Sequence, residues 1–201
     1  MTLLVNLWIK LFFVLTPFFA LTMFLTLTEG YDGPRRSRLA VSVSVAVGVI
    51  CLILFFAGRQ VFSAFGITLD AFRIGAGVLL FLSGIGLVHG RAGTSNANAA
   101  DDGDVAIVPL AIPIIVGPAT TGTLLVMGAE LSDLAAKTIG AAALILAVMC
   151  VAAVLLAASA IQRILGVRGI SILSRLTGLI LAALAAQMIM TGIQGFISIQ
   201  Q

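Results

Sequence analysis

The chain carries one short pattern twice. Thr16-Pro17 leads to Thr22 and Glu29, and Gly117-Pro118 leads to Thr123 and Glu130, so proline, threonine and glutamate recur at matching offsets about 101 residues apart. Arg73 sits near the start of an apolar stretch, and Arg175 does the same 102 residues later. Recurrence at a fixed offset points to internal duplication. The chain is 61% hydrophobic and 9% charged, whereas a soluble domain carries roughly 25% charged residues. It cannot cover itself with polar surface, so lipid must cover it. A duplicated, lipid-covered chain is the signature of a membrane protein built from two related halves, and that organisation favours a transporter.

A membrane-crossing helix takes roughly 20 apolar residues. Six such stretches are present, at 11–28, 39–56, 72–88, 105–127, 138–161 and 172–197. The first reads as a mature helix rather than a signal peptide, because its apolar run is long, Pro17 interrupts it and no clear cleavage site follows. The cluster 29–34 is a turn, and segment 91–104, rich in Ala, Asn, Gly and Asp, is a solvated connector. The expected fold is therefore all-α, a polytopic membrane protein of six transmembrane helices. A first three-helix repeat occupies 1–90, a flexible linker 91–104 and a second three-helix repeat 105–201, together forming one integrated membrane domain. Three spans per repeat is an odd number, so the second repeat must enter the bilayer from the opposite side. Inverted repeats place a site near the midplane, where one half rocks against the other.

The excess of basic residues orients the chain. Arg35, Arg36, Arg38, Arg91, Arg163, Arg168 and Arg175 fall on one side of this topology, and Lys10, Arg59, Arg73 and Lys137 on the other. The positive-inside rule then puts both termini outside. The same residues are scattered between spans rather than gathered on one face, which points away from nucleic acid despite a pI of 9.4. Cys51 and Cys150 lie deep in apolar runs and read as small buried hydrophobes, not as a disulfide. One histidine and two distant cysteines offer no transition-metal cluster, and no Walker motif is present. No cofactor is implied. Nor does a His/Asp/Ser constellation appear within the spans, so the expectation is a non-enzyme.

Span four holds Pro109, Pro113 and Pro118 together with Gly117 and Gly122. Each internal proline removes a backbone hydrogen bond, and in lipid the freed carbonyls survive only where protein or a water-filled cavity satisfies them. A break at 115–118 is expected, with a half-helix starting at Pro118. Its free amides would carry partial positive charge suited to a carboxylate, with Thr120, Thr121 and Thr123 adding hydroxyls. Span one offers the matching interruption at Thr16 and Pro17, followed by Thr22. Paired interruptions in corresponding spans point to a transporter site, although a proline kink that merely shapes packing is the alternative, and the stronger one for Pro17 taken alone.

Glu29 and Glu130 end these spans, where a carboxylate opposes the helix dipole. Three roles stay open to them: pairing with Arg73 or Arg175, carrying a coupling proton, or standing in a solvated loop. Asp70 precedes Arg73 by three residues and suits both an N-cap and an ion pair, while Ser171 suits the cap of the corresponding helix. The arginines are open to snorkelling, to an ion pair across the repeats or to an anion-binding role. Gln187, the strongly polar residue deep in span six, is either interhelical glue or a site donor. Gly77 and Gly84, with Gly75 and Gly86, make span three unusually smooth.

Three segments resemble the MarC family of bacterial inner-membrane proteins: residues 18–30 (Phe-Phe-Ala-Leu-Thr through Leu-Thr-Glu-Gly), residues 65–75 (Phe-Gly-Ile-Thr-Leu-Asp-Ala-Phe-Arg-Ile-Gly) and residues 108–118 (Val-Pro-Leu-Ala-Ile-Pro-Ile-Ile-Val-Gly-Pro). The resemblance covers nearly the whole chain. It implies six spans and a place among transporters of small neutral amino acids such as alanine and glycine. Family members often read Gly-Pro-Gly-Ala-Ile at the break, whereas this chain reads Gly117-Pro118-Ala119-Thr120-Thr121, a departure that re-tunes the expected pocket.

The expected function is secondary transport of a small zwitterion between the broken spans one and four. Candidate substrate contacts are Thr16, Pro17, Thr22, Pro113, Gly117, Pro118, Thr120, Thr121, Thr123 and Gln187. Glu29, Arg73, Glu130 and Arg175 are candidates for coupling or ion pairing. The implied partners are a small-molecule substrate, membrane lipid and a coupling proton or sodium ion, with a homo-oligomer left open. The alternatives are another small solute or ion, and a non-transporting scaffold with a tightly packed axis.

Overall fold

The computed structural model describes residues 2–90, 115–131 and 133–198. The linker 91–104, Pro109, Pro113 and the first part of the fourth expected span lie outside the described residues. Seven helices make up the described part: α1 (Thr2–Val14), α2 (Pro17–Leu27), α3 (Gly33–Phe65), α4 (Leu69–Val88), α5 (Pro118–Glu130), α6 (Leu134–Leu156) and α7 (Ala158–Ser198). Five stretches among the described residues are long and apolar enough to cross a membrane: Leu3–Leu27, Gly33–Gly58, Leu69–Val88, Leu134–Leu156 and Ala158–Ile197. Of the expected fourth span the described residues hold only the 13-residue α5, so five candidate spans stand against the six expected.

Both expected breaks are present. Pro17 and Pro118 each stand at the start of a half-helix, where a missing N–H costs nothing. Before Pro17 the chain cannot continue as helix, and Thr16 takes a left-handed φ of 47°. A β-branched residue there is strained. Asp32 and Asp133 then hold the N-cap positions of α3 and α6, again about 101 residues apart. Gly66 ends α3 at φ 62°, and Gly166 interrupts α7 at φ 64°, a region an L side chain rarely adopts. The offset of the sequence pattern thus recurs in the caps of α3 and α6.

One expected feature differs. Residues 162–171 read as a polar gap between spans five and six, yet they are helical around the single turn at Gly166. Gln162, Arg163 and Arg168 are exposed on that helical surface, and long polar side chains at a span end reach the interface without any loop. Ser171 accordingly lies inside α7 rather than capping it. In the first repeat, Thr68 is the N-cap of α4, accepting from the Ala71 amide at 3.2 Å, while Asp70 sits in the first turn.

Helix α3 shows how the chain faces its surroundings. Ala40, Val43, Val47, Cys51 and Phe55, spaced three and four apart, are buried, while Val41, Val45, Val49 and Ile53 on the opposite face are about half exposed or more. In water that second stripe would have to be polar. Here both stripes are apolar, as lipid contact requires.

Since lipid is as apolar as leucine, close approach between helices must come from small residues. Gly128 of α5 lies against the Phe55 carbonyl of α3, and Gly58 of α3 against the Leu125 carbonyl of α5, so neither site has room for a Cβ. On α4 and α7 the contacts run in register: Gly84 meets Gly178, Gly77 meets Ala185 and Asp70 meets Gly192. Position rises along α4 as it falls along α7, so the two helices are antiparallel. Among the described residues the principal contacts join one half of the chain to the other: α4 with α7 and α5, α3 with α5 and α6, α1 with α6, and α2 with α7.

The two breaks are tied together. The Thr120 hydroxyl lies 3.3 Å from the Val14 carbonyl at the end of α1 and 3.1 Å from the Ile115 carbonyl just before α5. Its single hydrogen is shared between these two carbonyls, which the breaks leave without helical partners. Thr120→Val is expected to lower stability by about 1–2 kcal/mol, read as earlier thermal unfolding in detergent. An unchanged transition would show that the bond contributes nothing.

Candidate functional site

Among the described residues, two cavities open beside the half-helices. The first, of about 350 Å³, lies among α1, α4, α5 and α7; α5 contributes Thr123, Val126, Met127 and Glu130. The second, of about 320 Å³, lies among α2, α3 and α7; α2 and the turn after it contribute Thr22, Leu25, Thr26 and Glu29. These two sets match position by position at the repeat offset. The two cavities are thus lined by residues at corresponding positions of the recurring pattern.

Their charged groups differ. In the first cavity Arg73 donates from Nε to Glu130 Oε1 at 2.9 Å, its Nη2 lies 2.9 Å from the same oxygen, and its Nη1 donates to Asp70 Oδ1. The pair joins α4 to the last residue of α5, and so one half of the chain to the other. A glutamate at that helix end opposes the dipole, and the guanidinium compensates it. Room for the cluster comes from Gly192 and Gly195 of α7, since a Cβ at Gly195 would collide with the Asp70 carboxylate. Lys10 from α1 and Gln187 and Thr191 from α7 complete the polar lining, with Leu80, Leu184 and Met188 as apolar wall.

In the second cavity the cation is Arg36. Its Nη2 donates to the Thr28 carbonyl at 2.8 Å and its Nη1 to Ser159 Oγ at 2.7 Å, while its buried Nε has no partner among the described residues. A cation at the C-terminal end of α2 suits the dipole. Glu29 lines this cavity too, with Gln162 of α7.

Of the residues singled out from sequence, the structure gathers Arg73, Thr123, Glu130 and Gln187 in one cavity and Thr22 and Glu29 in the other. Thr16, Pro17, Gly117, Pro118, Thr120 and Thr121 form the breaks and line neither cavity. Pro113 lies outside the described residues. Arg175 is exposed, with its guanidinium beside Gly90. The threonine hydroxyls are already committed as donors: Thr22 to the Phe18 carbonyl at 3.0 Å and Thr123 to the Ala119 carbonyl at 2.9 Å. Toward a ligand they are acceptors, suited to an ammonium rather than to a carboxylate. Sequence reading missed Lys10, counted there only for orientation, and Arg36, grouped there with the loop arginines.

Apolar membrane-length helices, duplicated breaks and paired cavities define a polytopic integral membrane protein. The comparisons agree: residues 1–197 match the MarC family integral membrane protein. The chain belongs to the MarC family. It is 37% identical to UPF0056 membrane protein MJ1677 of Methanocaldococcus jannaschii over 92% of this chain and 93% of that one. With the UPF0056 membrane protein YvbG of Bacillus subtilis it shares 31% over 95% and 94%. With YhcE of Escherichia coli the figure is 28% over 93% and 90%. Relatives thus occur in bacteria and archaea, and these names state a membrane protein and no substrate. No solved structure matches the chain.

Proposed function

We propose that the protein is a secondary transporter of small neutral amino acids, alanine or glycine in class, working by alternating access. The observation that carries this reading is the pair of cavities lined at repeat-matched positions by Thr22, Leu25, Thr26 and Glu29 and by Thr123, Val126, Met127 and Glu130. Two inverted three-span repeats would turn one such cavity to each side of the membrane. The antiparallel pairing of α4 with α7, the third helices of the two halves, supports that inversion. The breaks at Thr16 and Gly117 meet through Thr120 and would form the partition between the cavities. Rocking of the halves about the glycine-lined α4–α7 contact would open one cavity as the other closes.

A zwitterion suits a cavity whose lining charges, together with Asp70, cancel. A scaffold would call for a packed axis, and the cavities count against it. A bare cation is poorly served, because Asp70 and Glu130 both engage Arg73. In this reading the chain catalyses no reaction, sits in the bacterial inner membrane with both termini outside, and couples to a proton or sodium ion.

The test is counterflow of radiolabelled alanine in proteoliposomes, with unlabelled competitors. Accumulation blocked by glycine and serine is the expected result; no accumulation by folded, reconstituted protein would overturn the reading. For coupling, Glu130→Gln is expected to lose accumulation driven by a pH gradient to a greater degree than it weakens counterflow. Equal gradient-driven accumulation in both proteins would remove Glu130 from that role.

A further inference from the structure

A carboxylate needs a seat, and neither of the two cavities reaches the N-terminus of α5. Both cavities are lined by the far ends of α2 and α5, while Ala119 and Thr120 in the first turn of α5 are buried and the Thr120 hydroxyl is committed to the breaks. The first cavity supplies another candidate. Lys10 lies within the Leu3–Leu27 span, roughly 10 Å along the helix from its start. It lines the cavity one turn before Val14, which lines it too. An ammonium inside a spanning helix is costly against lipid and is retained where it faces a cavity or a partner. Among the described residues Lys10 has no ion pair, whereas Arg73 is shared between Asp70 and Glu130.

We propose that Lys10 is the carboxylate anchor of the first cavity. The ligand's α-carboxylate pairs with the Lys10 ammonium, and its α-ammonium pairs with Glu130, whose Oε2 is left over from the Arg73 contact through Oε1. Gln187 offers a neutral donor beside them. A ligand carrying both charges leaves the cavity neutral, while an amine or a carboxylic acid alone leaves it charged. Lys10 thereby selects α-amino acids over their amides. The proposal rests on the transport reading above and adds to it the residue that recognises the carboxylate.

The test compares L-alanine with L-alaninamide, which lacks the carboxylate, as competitors of labelled alanine counterflow. It uses purified wild-type protein, Lys10→Met and Lys10→Cys in proteoliposomes. Lys10→Met is expected to raise the half-inhibiting alanine concentration on the order of tenfold to a hundredfold, the loss of one charged hydrogen bond. Alaninamide should change little, so the preference for the acid collapses. A purely structural lysine would weaken both competitors alike. If Lys10→Met does not fold, Lys10→Cys is measured before and after reaction with aminoethyl methanethiosulfonate, which restores an ammonium; recovery of the preference is the expected result. An unchanged alanine-to-alaninamide ratio without the lysine, or no recovery on aminoethylation, overturns the anchor while wild-type transport stands. If the wild type itself counterflows no amino acid, the transport reading falls and the anchor with it.

Discussion

Replacing Gly128 with alanine is expected to be among the most damaging single changes in the chain. The added methyl would be driven into the Phe55 carbonyl, and a backbone carbonyl in a helix cannot rotate out of the way. Helices α3 and α5 would have to separate, losing the companion contact of Gly58 with the Leu125 carbonyl as well. Overpacking against side chains costs about 1–3 kcal/mol, and a backbone obstacle puts this variant at or above the top of that range. Gly75→Ala supplies the contrast, because nothing lies within 4 Å of the new methyl; it is expected to stay within about 0.5 kcal/mol of the parent. Thermal unfolding of both variants in one detergent decides the matter. Equal stabilities would mean that the α3–α5 crossing is looser than described.

The second large effect is at Arg73. Arg73→Met strands the carboxylates of Asp70 and Glu130, whose side chains are 18% and 38% exposed. Breaking a fully buried pair costs about 3–5 kcal/mol; the water contact of Glu130 brings the expected loss here to about 2–3 kcal/mol. Removing the stranded charge as well, in Arg73→Met with Glu130→Gln, is expected to return part of that loss, which a double-mutant cycle reads as coupling. Strict additivity of the two single changes would mean that the pair contributes no coupling.

The sequence was most legible where one residue type dictates backbone. Three prolines close together disfavour one regular helix, so the interruption before Pro118 was readable, as was the turn cluster after Glu29, whereas Pro17 alone read more readily as a kink. Charge was half legible. The spacing of Asp70 and Arg73 announced an i,i+3 pair, but choosing Glu130 over Glu29 as the partner across the chain required the fold. Least legible were the cavities. Lys10 is one cation among eleven basic residues in the sequence, and only the packing of α1 beside α5 and α7 separates it from a snorkelling lysine. The helical path through Gly166 was hidden for the opposite reason. Gln162, Arg163 and Arg168 look like loop residues in a string, yet a helix surface at the membrane boundary accommodates them equally well.

The helix contacts also say something about how the molecule is made. Helix α2 rests on α7, α5 on α4 and α3, and α1 on α6, so each half lends its broken helix to the other's wall. Neither half could bury its own half-helix alone. The interior of the described body is therefore an interface between two stretches of one chain, whose one-to-one ratio the peptide backbone itself guarantees.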